Sequence, residues 1–294
     1  MALAAVSRGV GSLCGRGQLS RSAWVSRARF SVSCERRDNV LVTKDDMGVA
    51  TLSMNKAPVN SLNKEFLEEL TSTLVATSKD STGLVLTSGL SSVFCAGLEI
   101  TEMHQPDPAR LREFWRSLQA VWLQLYSFPL PTAAAICGHS PAGGCLLALC
   151  CDYRVMQGPK FTIGLNETLL GIVAPFWFKD SMLNAVGHRQ TELALMLGTL
   201  FTADQALNIG LVDQVVQSRE ECLAEATKMV HKLVKIPGEA RHVSKMLMRQ
   251  PTLDRLTADR EDDVEHFANF VTQPQIQKPL GLYLEALKAK SKKK

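Results

Sequence analysis

Residues 132–153 read TAAAICGHSPAGGCLLALCCDY, and this stretch decides the fold that the sequence predicts. The run TAAAI (132–136) is apolar throughout, which is typical of a buried strand. The turn PAGG (141–144) follows, and the apolar segment Cys145–Cys151 then predicts a short helix. Glycines let the backbone approach a ligand closely, and a helix start presents unpaired N–H groups. The stretch therefore predicts a strand, a glycine turn and a helix that together offer N–H donors to an oxygen.

A carboxylate follows in an apolar setting, TIGLNETLLGIV (162–173), at Glu167. Packing by apolar neighbours raises the pKa of a carboxyl group, here toward roughly 6–7, where a general base works well near neutral pH. The expected neighbours are Ile163, Leu165, Leu169 and Phe176. Two structural alternatives stay open at this point, a helix-start carboxylate and a buried ion pair. The donors and the base together indicate an enzyme that stabilises an oxyanion and moves a proton.

Periodicity outward from this stretch predicts short strands that come in pairs before each helix. The predicted strands are 40–43, 48–54, 83–88, 132–136, 153–156, 161–163 and 211–216. The predicted helices are 62–77, 109–126, 145–151, 176–186, 189–197, a short one opened by the capping box TADQ (202–205), and most of the chain after Arg219, punctuated by Pro237, Pro251, Pro274 and Pro279. A doubly wound sheet would alternate one strand with one helix, so we expect repeated ββα units in an α/β fold.

Composition excludes several classes of protein. The chain has 294 residues, 46% hydrophobic and 21% charged, with a formal net charge of +4. No apolar run reaches the roughly 18–20 residues that span a bilayer, so we expect no stable membrane insertion. The eight cysteines lack the spacing of a metal site, and Cys137, Cys145, Cys150 and Cys151 are expected to be reduced core thiols. The sequence has no dinucleotide or P-loop motif and no basic patch interleaved with aromatics, so we expect no nucleic-acid partner.

Residues 1–34 differ from the rest of the chain. They contain five arginines and seven serines but no Asp, Glu or Lys. This composition is that of a mitochondrial transit peptide, and the apolar run MALAAV is too short for a secretory signal. A disordered basic tail is the alternative. The basic end KAKSKKK (288–294) is expected to be a solvated C-terminus.

Four motifs in the right order resemble the crotonase (enoyl-CoA hydratase/isomerase) superfamily over about residues 38–290. They are ICGHSPAGGCLLALCCDY (136–153), FCAGLEI (94–100), GLNETLLGIVAP (164–175) and LFTADQALNIGLVDQVV (200–216). The resemblance implies a spiral of ββα units, with a core over 35–230 and a C-terminal helical trimerisation region over 231–294. It also implies a homotrimer, and with the transit peptide over 1–34 a mitochondrial matrix location.

The same resemblance implies a fatty enoyl-CoA substrate whose thioester oxygen lies between the N–H groups of Leu98 and Gly143, with Glu167 as the catalytic residue. The substrate-binding positions that it implies are Ala96, Gly97, Leu98, Glu99, Ile100, Gly143 and Asn166. No metal and no separate cofactor are expected, since coenzyme A is part of the substrate.

One departure from the hydratase pattern indicates the reaction. Hydratases of the superfamily use two glutamates, and the second follows the GGC motif directly, where this chain has Leu146. Leucine cannot activate water, whereas a single base suffices for a 1,3-proton shift. We therefore expect isomerisation of 3-cis- or 3-trans-enoyl-CoA to 2-trans-enoyl-CoA through a dienolate, in the β-oxidation of unsaturated fatty acids.

Other interpretations remain open at the level of sequence. Thioester hydrolysis or weak hydration would use the same scaffold, and so would a non-catalytic binding module. Glu99 and Glu102 are alternative bases, although solvated or ion-paired roles are favoured for both. His139 lies in the glycine turn, where a lone histidine is more often structural than ligand-binding.

Overall fold

A computed structural model of the protein describes residues 35–36 and 39–291. The predicted transit peptide and the last three lysines lie outside the described residues. Of the described helices, none is long and apolar enough to cross a membrane. The described side chains likewise contain no group of His, Cys, Asp and Glu that could hold a metal ion.

In the part of the chain that the structure describes, ten short strands form two sheets. The strands are β1 Glu35–Arg36, β2 Val40–Lys44, β3 Val49–Met54, β4 Gly83–Ser88, β5 Thr132–Ile136, β6 Ser140–Pro141, β7 Tyr153–Gln157, β8 Thr162–Gly164, β9 Phe201–Thr202 and β10 Gln214–Val216. The large sheet has the order β1-β2-β3-β4-β5-β7-β10, antiparallel as far as β3 and parallel from there on. The small sheet has the order β6-β8-β9.

Ten α-helices are described. They are α1 Lys64–Asp80, α2 Pro108–Tyr126, α3 Gly143–Cys150, α4 Phe176–Val186, α5 His188–Leu197, α6 Ala203–Asn208, α7 Arg219–Val234, α8 Gly238–Ala258, α9 Arg260–Val271 and α10 Pro274–Ser291. Two 3-10 helices, Ile100–Glu102 and Glu167–Leu170, lie in the loops that matter for function.

The predicted α/β organisation with ββα units is confirmed. Strand pairs precede helices in three places, β2–β3 before α1, β5–β6 before α3 and β7–β8 before α4. Between β4 and α2 the second strand is reduced to isolated bridges that join Val93 to His139 and Leu62 to Leu98. That loop therefore stays free to follow the glycine turn rather than a sheet.

Local signals explain where most elements begin and end. The predicted strands 83–88 and 132–136 and the predicted helix 176–186 match their observed bounds. Helix α1 begins at Lys64 rather than Leu62, because the Asn63 side chain accepts a hydrogen bond from the Phe66 N–H and caps the helix. The predicted capping box is present at Thr202 and Gln205.

The prolines of the C-terminal region behave in two ways. Pro237 precedes α8 and Pro274 begins α10, as expected of residues that punctuate helices. Pro251 and Pro279 instead lie inside α8 and α10, so the expectation that they interrupt the helical region is wrong. The boundary predicted between residues 230 and 231 falls within α7, and the division at that point stays a prediction.

The large sheet is covered on both faces. Ala134 and Ile136 of β5 face the main core, while Ala133 and Ala135 face a second cluster with Val230 of α7. A strand buried on both faces reads as a continuous apolar run, which is why TAAAI is so uniform. All six described cysteines are buried and form no disulfide: Cys95, Cys137, Cys145, Cys150, Cys151 and Cys222. The expectation of core thiols is therefore confirmed for the four cysteines for which it was made.

Candidate active site

The glycine turn after β5 leaves one backbone N–H group unpaired. Ala142 has φ 48° and ψ −119°, a conformation that a non-glycine residue rarely adopts. Its own N–H is held by the Gly164 carbonyl at 2.8 Å, and its carbonyl accepts from Leu146 at 3.0 Å. Among the described residues no acceptor faces the N–H of Gly143, the first residue of α3. A strained residue at such a place is a common feature of functional sites.

The loop after β4 supplies a second unpaired donor. Leu62 donates to the Gly97 carbonyl at 2.8 Å and accepts from the Glu99 N–H at 3.0 Å. This pairing, on either side of Leu98, leaves the Leu98 N–H with no acceptor in the part of the chain that the structure describes. Gly97 has φ 89°, the left-handed region that favours glycine. The loop therefore turns as the sequence predicts.

The two donor loops are in contact. A methyl group added to Gly97 would lie 3.0 Å from the Ala142 Cβ and 3.2 Å from the Gly143 nitrogen. A methyl group added to Gly144 would lie 2.3 Å from the Cys95 carbonyl oxygen. Only glycine leaves room for so close an approach, so the glycines bring the donors of both loops to one place.

A pocket of about 70 Å³ opens beside these loops. Five residues that the family resemblance implies for the site line it, namely Ala96, Leu98, Ile100, Asn166 and Glu167. The other lining residues are Met103, Pro141, Ala142, Leu170, Ile172 and Tyr283. Of the other implied residues, Gly97, Glu99 and Gly143 do not line it. Apart from Asn166, Glu167 and Tyr283, the side chains that line the pocket are apolar.

Glu167 is the carboxylate of this pocket, and its side chain has no partner in the part of the chain that the structure describes. The residue is 4% exposed and begins the 3-10 helix Glu167–Leu170. Neither side-chain oxygen of Glu167 has a hydrogen-bond partner among the described residues. The described residues also form no ion pair with Glu167. Burial raises the pKa of Glu167 to about 7, and the residue's own backbone N–H partly offsets the rise. The alternative of a buried ion pair is therefore wrong, while its place at a helix start is compatible with a chemical role.

The apolar wall around Glu167 differs from the predicted one at Leu169 and at Phe176. Phe176 is partly buried under Arg255 and lines neither pocket that includes Glu167. Ile163 and Leu165 are buried as expected. Leu169 is 64% exposed, and Leu170 and Ile172 line the pocket instead. The segment is a 3-10 helix of one turn, which places a different side chain over the carboxylate than an α-helix would.

The alternative acids are engaged elsewhere. Glu99 accepts a hydrogen bond from Ser61 and forms an ion pair with Lys56 at 3.6 Å. Glu102 is 6% exposed, and Arg110 holds it through hydrogen bonds of 2.7 and 2.8 Å. These ion pairs are the roles that the sequence favoured for both. Glu99 remains a substrate-binding residue only as a prediction, since its side chain does not line the pocket.

Two polar neighbours have different roles. The Asn166 Oδ1 atom is buried and unpartnered within the described part of the chain, and Asn166 lines the pocket. An unpaired buried oxygen beside a base is suited to accept a hydrogen bond from a ligand. His139 Nδ1 instead lies 3.2 Å from the Thr162 N–H, which holds the glycine turn against β8. That contact agrees with a structural role for His139.

Tyr283 is a pocket residue that the sequence did not indicate. It lies on α10, which Gln277 anchors by accepting from the Gln105 N–H at 2.8 Å and donating to the Met103 carbonyl at 2.9 Å. Only tertiary packing brings α10 over the pocket, so no local signal marks Tyr283 in the sequence. The side chain is 40% exposed and lies at the mouth of the pocket.

No second acid accompanies Glu167 in this pocket. Leu146, at the position where a hydratase has its second glutamate, is 1% exposed in α3. Burial is the main cause that raises the pKa of the neighbouring Cys145 thiol, and the Glu167 charge adds to it. The site can thus accept and return one proton and bind one oxyanion, and it lacks a second carboxylate to activate water.

Comparison with known proteins gives a consistent result. The family model described as enoyl-CoA hydratase/isomerase matches residues 44–294. The chain is 46% identical to enoyl-CoA delta isomerase 1, mitochondrial, of Mus musculus, over 99% of both chains. It is 43% identical to the Homo sapiens protein of the same name, over 97% of this chain and 94% of the other. The motifs NSL (60–62), CAGLEITEM (95–103) and GLNETLLGIVAPFWFKD (164–180) resemble this protein in particular, and that resemblance is confirmed.

A solved structure supports the same assignment. The crystal structure of human mitochondrial delta3-delta2-enoyl-CoA isomerase superimposes with a TM-score of 0.83 at 45% identity, over 86% of this chain and 99% of that one. An enoyl-CoA hydratase from Bacillus halodurans, at 22% identity and a TM-score of 0.73, shares the fold. The predicted crotonase fold is confirmed.

Proposed function

Because the chain belongs to the enoyl-CoA hydratase/isomerase family, we propose that it isomerises 3-cis- or 3-trans-enoyl-CoA to 2-trans-enoyl-CoA in the β-oxidation of unsaturated fatty acids. The observation that carries the proposal is Glu167, a buried carboxylate in a mostly apolar pocket, whose two oxygens have no partner among the described residues. A buried carboxylate without a partner destabilises the folded protein, so its presence indicates a role in acting on a ligand. Its chemistry matches the reaction of the relatives.

The proposed reaction moves one proton. Glu167 removes a proton from C2 of the 3-enoyl thioester, and the electron pair spreads over a dienolate whose charge lies on the thioester oxygen. The N–H groups of Leu98 and Gly143 bind that oxygen. The protonated Glu167 then returns the proton to C4, the double bond shifts to C2–C3, and the base is regenerated.

The apolar pocket favours this reaction over hydration. A volume of about 70 Å³ encloses only the reacting segment, and the rest of an acyl-CoA must extend beyond it. Leu146 stands where a hydratase has its second acid, so Glu167 is the one described carboxylate that lines the pocket. Coenzyme A arrives with the substrate, and we propose no further cofactor and no metal.

A substrate panel tests the proposal. We expect purified protein to convert 3-cis- and 3-trans-enoyl-CoA to the 2-trans product, followed by absorbance and mass spectrometry. With 2-trans-enoyl-CoA we expect no net gain of water, since one base cannot both activate and protonate. Release of free coenzyme A would instead indicate thioester hydrolysis. If neither substrate were converted, the alternative of a non-catalytic binding module would be the remaining interpretation.

The reaction should depend on pH through Glu167. Because burial raises the pKa of Glu167 to about 7, the base is protonated and inactive below that pH. We expect kcat/KM to rise tenfold per pH unit on the acid side and to level off above a midpoint near this pKa. A stopped-flow or steady-state profile from pH 5 to 9 measures it. A midpoint near 4.5, the ordinary value of a glutamate, would contradict the desolvated base.

The protein is mitochondrial, as its named relatives are. We propose the matrix as its place, because residues 1–34 have the composition of a cleaved transit peptide. We also propose a homotrimer assembled through residues 231–294. Val243 and Leu247 support it, since they are 47% and 75% exposed on one side of α8, where a second copy would cover them.

A further inference from the structure

A second cavity, of about 340 Å³, lies at the opposite end of α3 from the proposed catalytic pocket. The catalytic pocket adjoins Ala142, just before α3 begins, whereas this cavity is walled by Leu149 near the C-terminal end of the helix. Its volume falls in the range of small-molecule sites, roughly 300–1,000 Å³. The proposed reaction uses none of its residues.

The cavity carries more positive than negative charge. Its charged lining residues are Arg154, Arg241, Lys245, Arg249 and Asp152. Lys245 and Arg249 share the single carboxylate of Asp152, at 2.8 and 3.2 Å, and Arg154 pairs with Asp213 behind the wall at 3.1 Å. Four cations therefore face two carboxylates. Buried charge is costly unless it is paired, so this excess calls for an anion.

Among the cations that line the cavity, Arg241 is the one that forms no ion pair with a described residue. Its one hydrogen bond goes from Nη2 to the Pro129 carbonyl at 3.2 Å. The Nε and Nη1 atoms are shielded from solvent and have no partner among the described residues. Burial lowers the pKa of Arg241, and burial is also the main cause that lowers the pKa of Lys245. Both shifts are those of cations removed from solvent, and Arg241 forms no ion pair with any described residue.

Helix α8 separates this cavity from the face proposed for self-association. Arg241, Lys245 and Met248 line the cavity and recur at the spacing of one helical face. Val243 and Leu247 lie on the other side of the same helix and are exposed. A copy packed on that side would leave the cavity open.

We propose that this cavity binds a small organic monocarboxylate with an apolar body, with its carboxylate on Arg241. One unpaired guanidinium matches one negative charge, and a guanidinium is the preferred partner of a carboxylate. Beside the polar Ser181 and Asn184, the remaining walls are mainly apolar and suit a short hydrocarbon chain better than a phosphate. The apolar lining residues include Leu149, Ala185, Leu233 and Met248. Octanoate is the probe that combines both features.

Calorimetric titration of the full protein tests the proposal. Octanoate is titrated in the presence of excess octanoyl-CoA, which fills the catalytic pocket. We expect one further site, with weaker binding of 1-octanol, which lacks the charge, and of inorganic phosphate, which lacks the chain. Arg241→Gln should weaken octanoate at least about tenfold, the usual loss for a charged hydrogen bond. Arg189→Gln, at an exposed arginine, is the matched control and should bind as the wild type does.

A second variant keeps every charge in place. Ala185→Leu fills part of the cavity and should also weaken octanoate, whereas isomerase turnover should persist in both variants. Equal affinity in wild type and Arg241→Gln, or loss of all binding when octanoyl-CoA is present, would overturn the proposal. So would an absence of octanoate binding together with a fall in the mass of the assembly in Arg241→Gln, which would assign the site to a second copy.

Discussion

Replacing Glu167 by Gln should abolish isomerisation while acyl-CoA binding remains. The amide keeps the shape of the side chain but cannot accept the C2 proton. General-base catalysis contributes about 10²- to 10⁴-fold, and with one carboxylate in the pocket we expect a loss at the upper end of that range. Turnover of 3-enoyl-CoA measures kcat, and calorimetry with a saturated acyl-CoA measures binding. Retention of more than a tenth of the activity would exclude Glu167 as the base.

Two further variants make the result specific. Glu99→Gln tests the alternative base directly, and since its side chain is paired with Lys56 outside the pocket we expect most of the activity to remain. Glu225→Gln changes a partly exposed glutamate on α7 that pairs with Lys228, and it controls for the loss of a charge. If only Glu99→Gln lost its activity, the base would be Glu99, in the loop after β4, rather than Glu167.

The Glu167→Gln protein should also be more stable at alkaline pH, which shows that its inactivity is not misfolding. The pKa of Glu167 is about 7 when folded and near its ordinary 4.5 when unfolded. Between these values the folded protein holds a proton that the unfolded chain releases, so stability falls as pH rises from 4.5 to 7. Above pH 7 the variant should gain up to about 3 kcal/mol in free energy of unfolding. The gain should vanish below pH 4.5, as denaturant titrations at both pH values would show.

Gly97→Ala should remove most of the activity by displacing both oxyanion donors. The added methyl group would lie 3.2 Å from the Gly143 nitrogen and 3.0 Å from the Ala142 Cβ, so one of the two loops must shift. Loss of one oxyanion donor costs about 10²- to 10³-fold in kcat. We expect a loss of that size in kcat with a smaller change in KM, because the donors act most strongly on the dienolate.

Gly187→Ala is the matched control for this change. Gly187 also has a positive φ, 78°, but a methyl group there would meet nothing within 4 Å. Both variants place alanine at a positive φ, a strain of about 1–3 kcal/mol. Only Gly97→Ala should lose turnover, as steady-state kinetics and thermal melts of the two proteins would show. Equal loss in both would mean that strain, and not the position of the donors, is responsible.

Local patterns were sufficient for most of the fold. The apolar runs of β4 and β5, the amphipathic stripe of α2 and the capping box before α6 each have a local cause, so they appear in the sequence at the right places. The positions of the two prolines inside α8 and α10 were not predicted, because packing along a helix can outweigh the loss of one hydrogen bond. Leu169 was misplaced because a short apolar segment does not show whether it forms a 3-10 or an α turn.

The sequence by itself determined that a base lies in an apolar segment, that two glycine loops precede helical turns, and that no acid follows the second loop. Only the tertiary structure decided that these loops touch, that both oxygens of Glu167 lack a partner among the described residues, that Tyr283 lines the pocket and that Arg241 faces a second cavity. The physical reason is the distance along the chain over which each effect acts. Turn chemistry and periodicity act over a few residues, whereas burial and unpaired polar groups depend on segments that are distant along the chain.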